Sequence, residues 1–334
     1  MSVLYLMTTP APVFAGTDAV FQEASALRDA FGGKIVNLSP LSASNSRFPK
    51  QLFGFHKLGE ISKLQRECSI THVYFPSPYF FPILRLLREP IFYTVTGSLD
   101  VSRRPRAISQ LKKLRYIIVS SERDTVVLNS WGLMNHAVIR PGINTSAFVP
   151  APLRLDRELV LLMASAPWRG DQFELKGVDL LLAAVAKLSF LKLLLLWRGV
   201  LADGLMHRVE RLGLAGRVEV VNRKVSVSEY LAKAHATVLL AKNGAIVRGF
   251  PHSLMESLVG GKPVLLSSAI AMADYVTVRE CGVVVPEFSL GAFTSGIETL
   301  MRNYDALARK AAGIGAGEFS MSAMVEQHRR LYGL

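Results

Sequence analysis

The stretch RGFPHSLMESLVGGKPVLLSS, residues 248–268, reads as a turn, a short helix, a glycine stop and a buried strand. Pro251 suits the first turn of a helix, because its missing N–H would find no partner there in any case. Gly260 and Gly261 suit the exit, since glycine readily takes the left-handed conformation that ends helices. The apolar run from Val264 is typical of a strand. The segment therefore predicts a helix that packs on a sheet.

The apolar side chains of this helix share one face, and its single carboxylate lies off that face. The apolar positions recur with helical spacing: Leu254, Met255, Leu258 and Val259. At about 100° per residue, Glu256 points away from them, beside Ser253 and Ser257. Glu256 is therefore either a solvated surface side chain or a ligand group in a cleft, and helix geometry leaves both open.

Short apolar runs alternate with helix-length segments along nearly the whole chain. The runs are SVLYLMT, KIVNL, THVYF, PIFYTV, YIIVS and HAVIR in the first half, and ELVLLMA, FLKLLLLW, RVEVV, ATVLLA, KPVLLSS and CGVVVP in the second. This alternation predicts an α/β fold with parallel sheets covered on both faces. A helix from about Thr17 places Val20, Ala24, Leu27 and Phe31 on one face.

Pro and Gly in RPGINTSAFVPAP, residues 140–152, interrupt the alternation at the midpoint of the chain. We therefore predict two doubly wound domains, residues 1–148 and 149–334, that face each other across a central cleft. The last helix, around residues 320–332, has no strand after it. Its pattern leaves open whether it packs on the C-terminal domain or back on the N-terminal one.

The composition indicates a folded chain: half of the 334 residues are hydrophobic and 19% are charged. No apolar run reaches the roughly 18 residues that a membrane span needs. The chain opens with a strand and lacks the basic start of a signal peptide. Cys68 and Cys281 show no metal-ligand spacing, so we expect a reducing, cytoplasmic location.

The net charge of +13 suggests an anionic partner or surface. Six cations without an intervening acid lie between Asp100 and Glu122: Arg103, Arg104, Arg106, Lys112, Lys113 and Arg115. A second stretch, SRFPKQLFGFHKLGEISKLQR from Ser46, interleaves aromatic residues with cations. Nucleic acid, an anionic membrane and a phosphorylated substrate all fit such patches, and a solvated basic face without a partner fits them as well.

Several motifs, taken in order, resemble those of retaining GT-B glycosyltransferases, the glycosyl transferases group 1. RGFPHSLMESLVGGKPV resembles the signature E-G-F-x-x-x-x-x-E-A-x-A-x-G-x-P-V, and KGVDLL from Lys176 is similar to K-G-x-x-x-L. RPGIN, followed by Phe148 and Pro150, is similar to the linker P-N-G-V-D…F-x-P, and CGVVVP from Cys281 is similar to T-G-x-L-V-P. The resemblance covers nearly the whole chain, is stronger after residue 136, and implies two Rossmann-like domains in a GT-B arrangement.

The resemblance implies a donor site in the C-terminal domain. It implies that Lys176, at the start of a helix, holds the donor diphosphate together with an upstream Arg, for which Arg169 is the candidate. It implies that Glu256 binds the ribose hydroxyls, since a carboxylate offers two acceptors to a vicinal diol. The backbone of the signature turn would approach the donor sugar and phosphate; its residues are Gly249, Phe250, Pro251, His252 and Ser253.

Three positions depart from the family pattern. Arg248 stands where relatives have a Glu, which is compatible with an acidic donor such as a uronic acid, with a surface Arg beside an ordinary site, or with a degenerate site. Thr96 and Gly97 follow the strand PIFYTV where relatives often carry a His, so we expect only their backbone near the sugar. Gly16 matches only the glycine of the family's acceptor-side loop. His72 and His235 lie in patterned elements and are interpreted as structural.

The resemblance implies a retaining hexosyltransferase that moves a sugar from a UDP- or GDP-sugar to a glycan or lipid-linked acceptor. No D-x-D occurs in the sequence, and we expect neither a metal nor a cofactor. The basic, aromatic N-terminal half further predicts peripheral attachment to the inner face of an anionic membrane. The alternatives are a non-catalytic or degenerate nucleotide-sugar-binding protein and a nucleotide-sugar epimerase. The sequence contains no nucleic-acid-binding motif, and no G-x-G-x-x-G follows a strand. Neither a nucleic-acid-binding protein nor a dinucleotide-dependent dehydrogenase is therefore supported.

Overall fold

The fold is given by a computed structural model, which describes residues 2–9, 18–39, 49–150, 153–167, 169–197 and 201–334. The chain forms two compact units. Unit 1 comprises Met1–Gly142 and Met321–Leu334, and unit 2 comprises Ile143–Ser320. The α/β architecture predicted from the alternating pattern is confirmed in both.

Unit 1 is built on a parallel sheet. Its strands are β1 (Val3–Met7), β2 (Gly33–Asn37), β3 (Ile70–Phe75), β4 (Ile91–Val95), β5 (Tyr116–Val119) and β6 (His136–Val138). They lie in the order β2–β1–β3–β4–β5–β6. Helices on its two faces are α1 (Ala19–Phe31), α2 (Leu58–Glu67), α3 (Ile108–Leu111), α4 (Glu122–Ser130) and, from the end of the chain, α13 (Met321–Tyr332).

Helix α1 shows how local sequence builds unit 1. Asp18 caps it, because its carboxylate accepts a hydrogen bond from the N–H of Phe21 at 2.8 Å. The predicted apolar face is buried: Val20, Ala24, Leu27 and Phe31. Helix α13 packs against this helix, with the rings of Phe31 and Tyr332 5.4 Å apart. The last helix thus belongs to unit 1, a placement that its sequence pattern left open.

Unit 2 repeats the design. Its strands are β7 (Leu159–Met163), β8 (Leu191–Trp197), β9 (Val218–Asn222), β10 (Ala236–Leu239), β11 (Val264–Ser267) and β12 (Gly282–Val285). They are parallel and lie in the order β12–β11–β10–β7–β8–β9. Its helices are α5 (Gln172–Leu175), α6 (Val178–Lys187), α7 (Ala202–Arg211), α8 (Val227–Leu231), α9 (His252–Val259), α10 (Met272–Arg279), α11 (Leu290–Arg302) and α12 (Tyr304–Ala312).

The division between the units falls at Gly142, six residues before the predicted boundary at residue 148. Ile143 is only 1% exposed and lies in the core of unit 2. Its N–H donates to the carbonyl of Phe319 at 2.8 Å, and Phe148 packs on the same core. The residues between Ile143 and Phe148 therefore belong to unit 2, because Ile143 is buried in its core and Phe148 is packed against that core.

Candidate functional site

The strand order of unit 2 indicates where a ligand would bind. From β7 the chain runs outward through β8 and β9, and then crosses to β10, β11 and β12 on the other side. Neighbouring strands β7 and β10 therefore form the switch point of the sheet. In open parallel sheets the crevice beyond the carboxyl ends of such strands is the usual ligand site.

Lys176 lies at this carboxyl edge. Its ammonium donates to the carbonyl of Ala166 at 3.1 Å and to the hydroxyl of Ser165 at 3.4 Å, both just after β7. The residue is only 6% exposed, and burial lowers the pKa of its amine to about 8. Both partners that the described residues provide are neutral, and a desolvated ammonium so placed gains strongly from an anionic ligand. The sequence prediction placed Lys176 at the start of a helix; it lies in the turn between α5 and α6.

Gly177 brings this turn against the end of β10. Its φ of +68° is left-handed, and a Cβ atom there would lie 2.6 Å from the Cβ of Leu240. Glycine is therefore required on two counts, backbone conformation and close approach. The consequence is that the Lys176 backbone and the loop after β10 are neighbours, and the N–H of Lys242 donates to the carbonyl of Leu175 at 2.8 Å.

Arg169, the other predicted diphosphate ligand, has different contacts. Its guanidinium forms two hydrogen bonds with the carboxylate of Asp171, at 3.0 and 2.7 Å, and 69% of its side chain is exposed. Lys176 and Arg169 thus bond to different partners in this structure. A role for Arg169 in diphosphate binding requires its ion pair with Asp171 to open.

Helix α9 carries Glu256 as the sequence indicated. Its apolar face is buried in the core: Leu254, Met255, Leu258 and Val259. His252, Ser253 and Glu256 are partly exposed on the other side. Ser257, which was expected beside Glu256, is instead fully buried, because its hydroxyl donates to the carbonyl of Lys262 at 3.2 Å. Glu256 therefore lies on a narrower polar stripe than predicted.

The signature turn before α9 is firmly packed. The side chain of Phe250 is 3% exposed and meets the ring of Tyr275 edge-on, with 6.0 Å between centroids. The carbonyl of Gly249 accepts a hydrogen bond from the N–H of Met272 at 2.9 Å. Pro251 is the N-cap, one position before the helical turn predicted for it. Phe250 therefore offers a ligand only its backbone, since its side chain belongs to the core.

The loop between β10 and α9 contributes residues that the motifs did not single out. The ammonium of Lys242 pairs with the carboxylate of Glu174 at 2.8 Å. Asn243 follows it, at the N-cap of a 3-10 helix formed by Gly244–Ile246. Arg248 is half-buried further along the same loop. A Lys-Asn-Gly run directly after a strand was the available signal, but its position beside Lys176 depends on the sheet order.

In unit 1 the predicted Thr96 and Gly97 extend the sheet beyond the carboxyl end of β4. The N–H of Thr96 donates to the carbonyl of Phe75 at 2.9 Å, and that of Gly97 donates to Pro76 at 3.2 Å. The sequence reasoning missed Asp124, whose carboxylate is 1% exposed and accepts from the N–H of Leu99 at 2.8 Å. Burial raises the pKa of this carboxyl.

Two further observations concern the chain as far as it is described. Gly16, the predicted acceptor-side glycine, lies outside the described residues. Among those residues, no three His, Cys, Asp or Glu side chains are grouped as a metal site requires. In the same ranges, every helix is too short or too polar to cross a membrane.

Comparison with known proteins identifies the fold and a family that matches part of the chain. Residues 170–314 match the family of glycosyl transferases group 1. No curated protein matches the chain. Sucrose-phosphate synthase from Thermosynechococcus elongatus is similar with a TM-score of 0.74 at 17% identity, over 100% of this chain and 98% of that one.

Two further solved structures are similar over comparable lengths. HepE from Anabaena, in complex with UDP-glucose, has a TM-score of 0.72 at 14% identity, over 100% of both chains. WaaG, a glycosyltransferase involved in lipopolysaccharide biosynthesis, has a TM-score of 0.69 at 15% identity, over 99% of this chain and 100% of that one. At such identities the likeness concerns the fold. The chain therefore has the GT-B fold, and its residues 170–314 match the family of glycosyl transferases group 1.

Proposed function

We propose that the protein is a glycosyltransferase that takes a sugar from a UDP-sugar bound by unit 2. The observation that carries this proposal is the buried ammonium of Lys176 at the switch point of the sheet, whose partners among the described residues are neutral oxygens. A nucleotide diphosphate supplies the anion that this ammonium lacks. The likeness to HepE, which was solved with UDP-glucose, supports UDP as the nucleotide of the donor, and GDP is the alternative.

Five of the predicted residues would have a role in this reaction. Lys176 would stabilise the negative charge that grows on the leaving diphosphate, and Arg169 would add to it after leaving Asp171. Glu256 would accept hydrogen bonds from the ribose hydroxyls. We propose retention of configuration, with the acceptor attacking on the face that the diphosphate leaves and a phosphate oxygen taking the acceptor proton. Thr96 and Gly97 would approach the reacting sugar through their backbone.

A panel of nucleotides tests the donor site. The melting temperature is measured with UDP, GDP, ADP and their sugars, on the wild type and on Glu256→Ala. Ligand at a hundred times its Kd adds about 2.7 kcal/mol, which is several degrees for a domain of this size. One nucleotide should stabilise the wild type and should stabilise Glu256→Ala less. Absence of any shift contradicts the proposal.

Product analysis separates the proposed activity from its alternatives. Incubation with the donor selected above and a glycan acceptor should give a new glycoside with the anomeric configuration of the donor. Release of an isomeric nucleotide sugar without an acceptor would indicate an epimerase. Binding without turnover would indicate a non-catalytic protein. We propose that transfer needs no metal, because Lys176 supplies positive charge at the diphosphate, so activity should persist in EDTA.

Arg248 suggests a refinement of the donor. A guanidinium can form two parallel hydrogen bonds with a carboxylate, which suits an acidic donor sugar such as a uronic acid. The test compares UDP-glucose with UDP-glucuronic acid on the wild type and on Arg248→Glu. The wild type should prefer the uronic donor and the variant should lose that preference. An unchanged ratio of the two rates overturns the refinement.

We further propose that unit 1 docks on an anionic membrane to reach a lipid-linked acceptor, at the cytoplasmic face. Part of the apolar side chains in this half of the chain are buried, including Ile61, Leu64 and Phe81. Exposed apolar residues include Leu52, Phe55 and Leu86, which are 49%, 40% and 55% exposed. Exposed cations accompany them, among them Arg85 and Arg88. Apolar side chains with cations beside them are what binds an anionic lipid surface.

Vesicle flotation at low salt tests membrane docking. The wild type should float with vesicles that contain phosphatidylglycerol and should stay unbound with phosphatidylcholine alone. The double variant Phe55→Ser, Leu86→Ser should lose binding. Val278→Ser is the control, because Val278 is 80% exposed in unit 2. No flotation of the wild type removes this part of the proposal.

A further inference from the structure

The side chain of Asn243 does not make the capping hydrogen bond that is usual at its position. An Asn at an N-cap usually accepts a hydrogen bond from a backbone N–H two or three residues later. Asn243 occupies the N-cap of the 3-10 helix Gly244–Ile246, but its side chain makes no such bond. Its Oδ1 is nevertheless buried, and no hydrogen-bond partner for it occurs in the part of the chain that the structure describes.

A buried acceptor without a donor is unusual. Nearly all buried polar side-chain atoms in folded proteins have a partner, and an exception calls for a ligand, a water molecule or a strained site as its reason. The N–H groups in the first turn of a helix have no partner within the helix and are the usual partner of such a cap side chain. The side chain forgoes that bond, which indicates that something else is meant to reach its Oδ1.

The position of Asn243 indicates what that is. It follows β10, one of the two strands at the switch point, and precedes α9, which carries Glu256. The preceding residue, Lys242, bonds through its N–H to Leu175, the residue before Lys176. Asn243 therefore lies in the loop that packs beside Lys176, the residue proposed to bind the diphosphate. This is the edge at which open parallel sheets usually bind their ligands.

The polar groups at this edge complement one another. Lys176 and Lys242 provide ammonium groups, which can only donate hydrogen bonds and suit phosphate oxygens. A sugar nucleotide also carries hydroxyl groups and, in its base, N–H groups, which need acceptors. Glu256 is one acceptor, and Asn243 Oδ1 is a second.

We propose that Asn243 is a binding residue for the sugar-nucleotide donor, and that its Oδ1 accepts a hydrogen bond from an O–H or N–H group of that donor. This inference rests on the proposed function. It adds a contact outside the signature turn and outside the Lys176 motif. The group that donates belongs either to the nucleotide or to the transferred sugar, and binding of two probes distinguishes them.

The experiment is calorimetric titration of the wild type, Asn243→Ala and Asn303→Ala with UDP, UDP-glucose, GDP and GDP-mannose. Asn303 is a matched control, since it is an exposed N-cap in unit 2 that also makes no side-chain cap bond. Asn243→Ala should weaken binding about 5- to 10-fold, the value of one hydrogen bond that the ligand can no longer make. An equal loss for UDP and UDP-glucose assigns the bond to the nucleotide, and a loss for UDP-glucose alone assigns it to the sugar. Asn303→Ala should bind as the wild type does.

Melting temperatures without ligand provide the second readout. Asn243→Ala should melt at or above the wild-type temperature, because it removes a buried acceptor that the protein does not satisfy. Unchanged affinity in Asn243→Ala overturns the inference. A clear drop in its ligand-free melting temperature also overturns it, since the amide would then hold a structural water. Failure of the proposed function looks different: the wild type itself binds none of the four probes.

Discussion

Unit 1 and unit 2 have the same kind of sheet but differ in the basic groups that they bury most deeply. Unit 2 buries the ammonium groups of Lys176 and Lys262, and burial lowers the pKa of each to about 8. Unit 1 buries the imidazoles of His72 and His328, and burial lowers the pKa of both. At neutral pH the histidines are therefore in the uncharged form that burial favours, whereas the lysines keep the charge that burial opposes.

The histidines of unit 1 are arranged for stability. His72 bonds through Nε2 to the hydroxyl of Thr94 at 2.7 Å and through Nδ1 to the hydroxyl of Tyr332 on α13. His328, also on α13, donates from Nδ1 to the carbonyl of Met324 at 2.9 Å, and its ring centroid lies 5.6 Å from that of His72. The neutral imidazole of His72 thus ties the last helix to the sheet through Tyr332, while the charged Lys176 of unit 2 can bind an anion. Acid should therefore lower the stability that the histidines of unit 1 provide, and alkali should weaken anion binding by unit 2.

Acidification should produce the largest effect. The pKa of His328 is about 4 in the folded protein and 6.5 as its ordinary value, so the unfolded state binds the proton first as the pH falls. The free energy of unfolding should therefore drop by about 3 kcal/mol between pH 7 and pH 4, and the lowered pKa of His72 adds to this loss. Urea unfolding across this pH range measures it. His328→Leu should flatten the profile, and the exposed His207→Leu should leave it as steep as in the wild type. An equally steep profile in His328→Leu contradicts the assignment.

Removal of the Lys176 charge should have the next largest effect, which is a loss of affinity for UDP. Lys176→Met should raise the Kd for UDP about 10- to 100-fold, because a charged hydrogen bond to phosphate contributes roughly 1.5–3 kcal/mol. Arg169→Met should change it less than about 3-fold, since breaking the ion pair with Asp171 offsets most of the gain. Titration calorimetry provides both values. Equal losses in the two variants would show that the loop with Arg169 rearranges fully onto the ligand.

Alkaline pH should weaken the donor site to a smaller extent. Because the pKa of Lys176 is about 8 without ligand, its amine loses its proton above that pH and with it the attraction for diphosphate. The affinity for UDP should fall up to about 10-fold between pH 7.5 and pH 9. Lys176→Arg should bind with a flatter pH profile, because a guanidinium stays charged throughout. A wild-type affinity that does not change over this range would mean that the amine is charged up to a higher pH.

Substitution of Lys262 should have the smallest effect, and it should stabilise the protein instead of weakening it. It is 1% exposed, and no hydrogen-bond partner of its ammonium occurs among the described residues. Lys262→Met should therefore stabilise the protein by about 1 kcal/mol at pH 7, which is about 2–4 °C in melting temperature. The exposed Lys187→Met should leave the melting temperature unchanged. A destabilised Lys262→Met would show that the ammonium has a partner, such as a bound anion or water.

The sequence by itself determined the elements of the fold and part of the site. Strand-length apolar runs alternating with helices predicted both sheets, and the spacing of Leu254, Met255, Leu258 and Val259 correctly gave the buried face of α9. The order of motifs after residue 136 led to the family that residues 170–314 match. These features are readable because periodicity and capping depend on residues within one or two turns of each other.

Only the tertiary structure decided which distant residues meet. Tyr332 bonds to His72 across 260 positions of sequence, which settles where the last helix packs. The sheet order brings Lys242 to Leu175 and places Asn243 at the switch point, although neither residue stands out in its own segment. Ser257 turns inward for a carbonyl that its helix does not contain. The physical reason is the same in each case: burial and hydrogen-bond satisfaction are properties of the packed chain, and no local pattern specifies the partner.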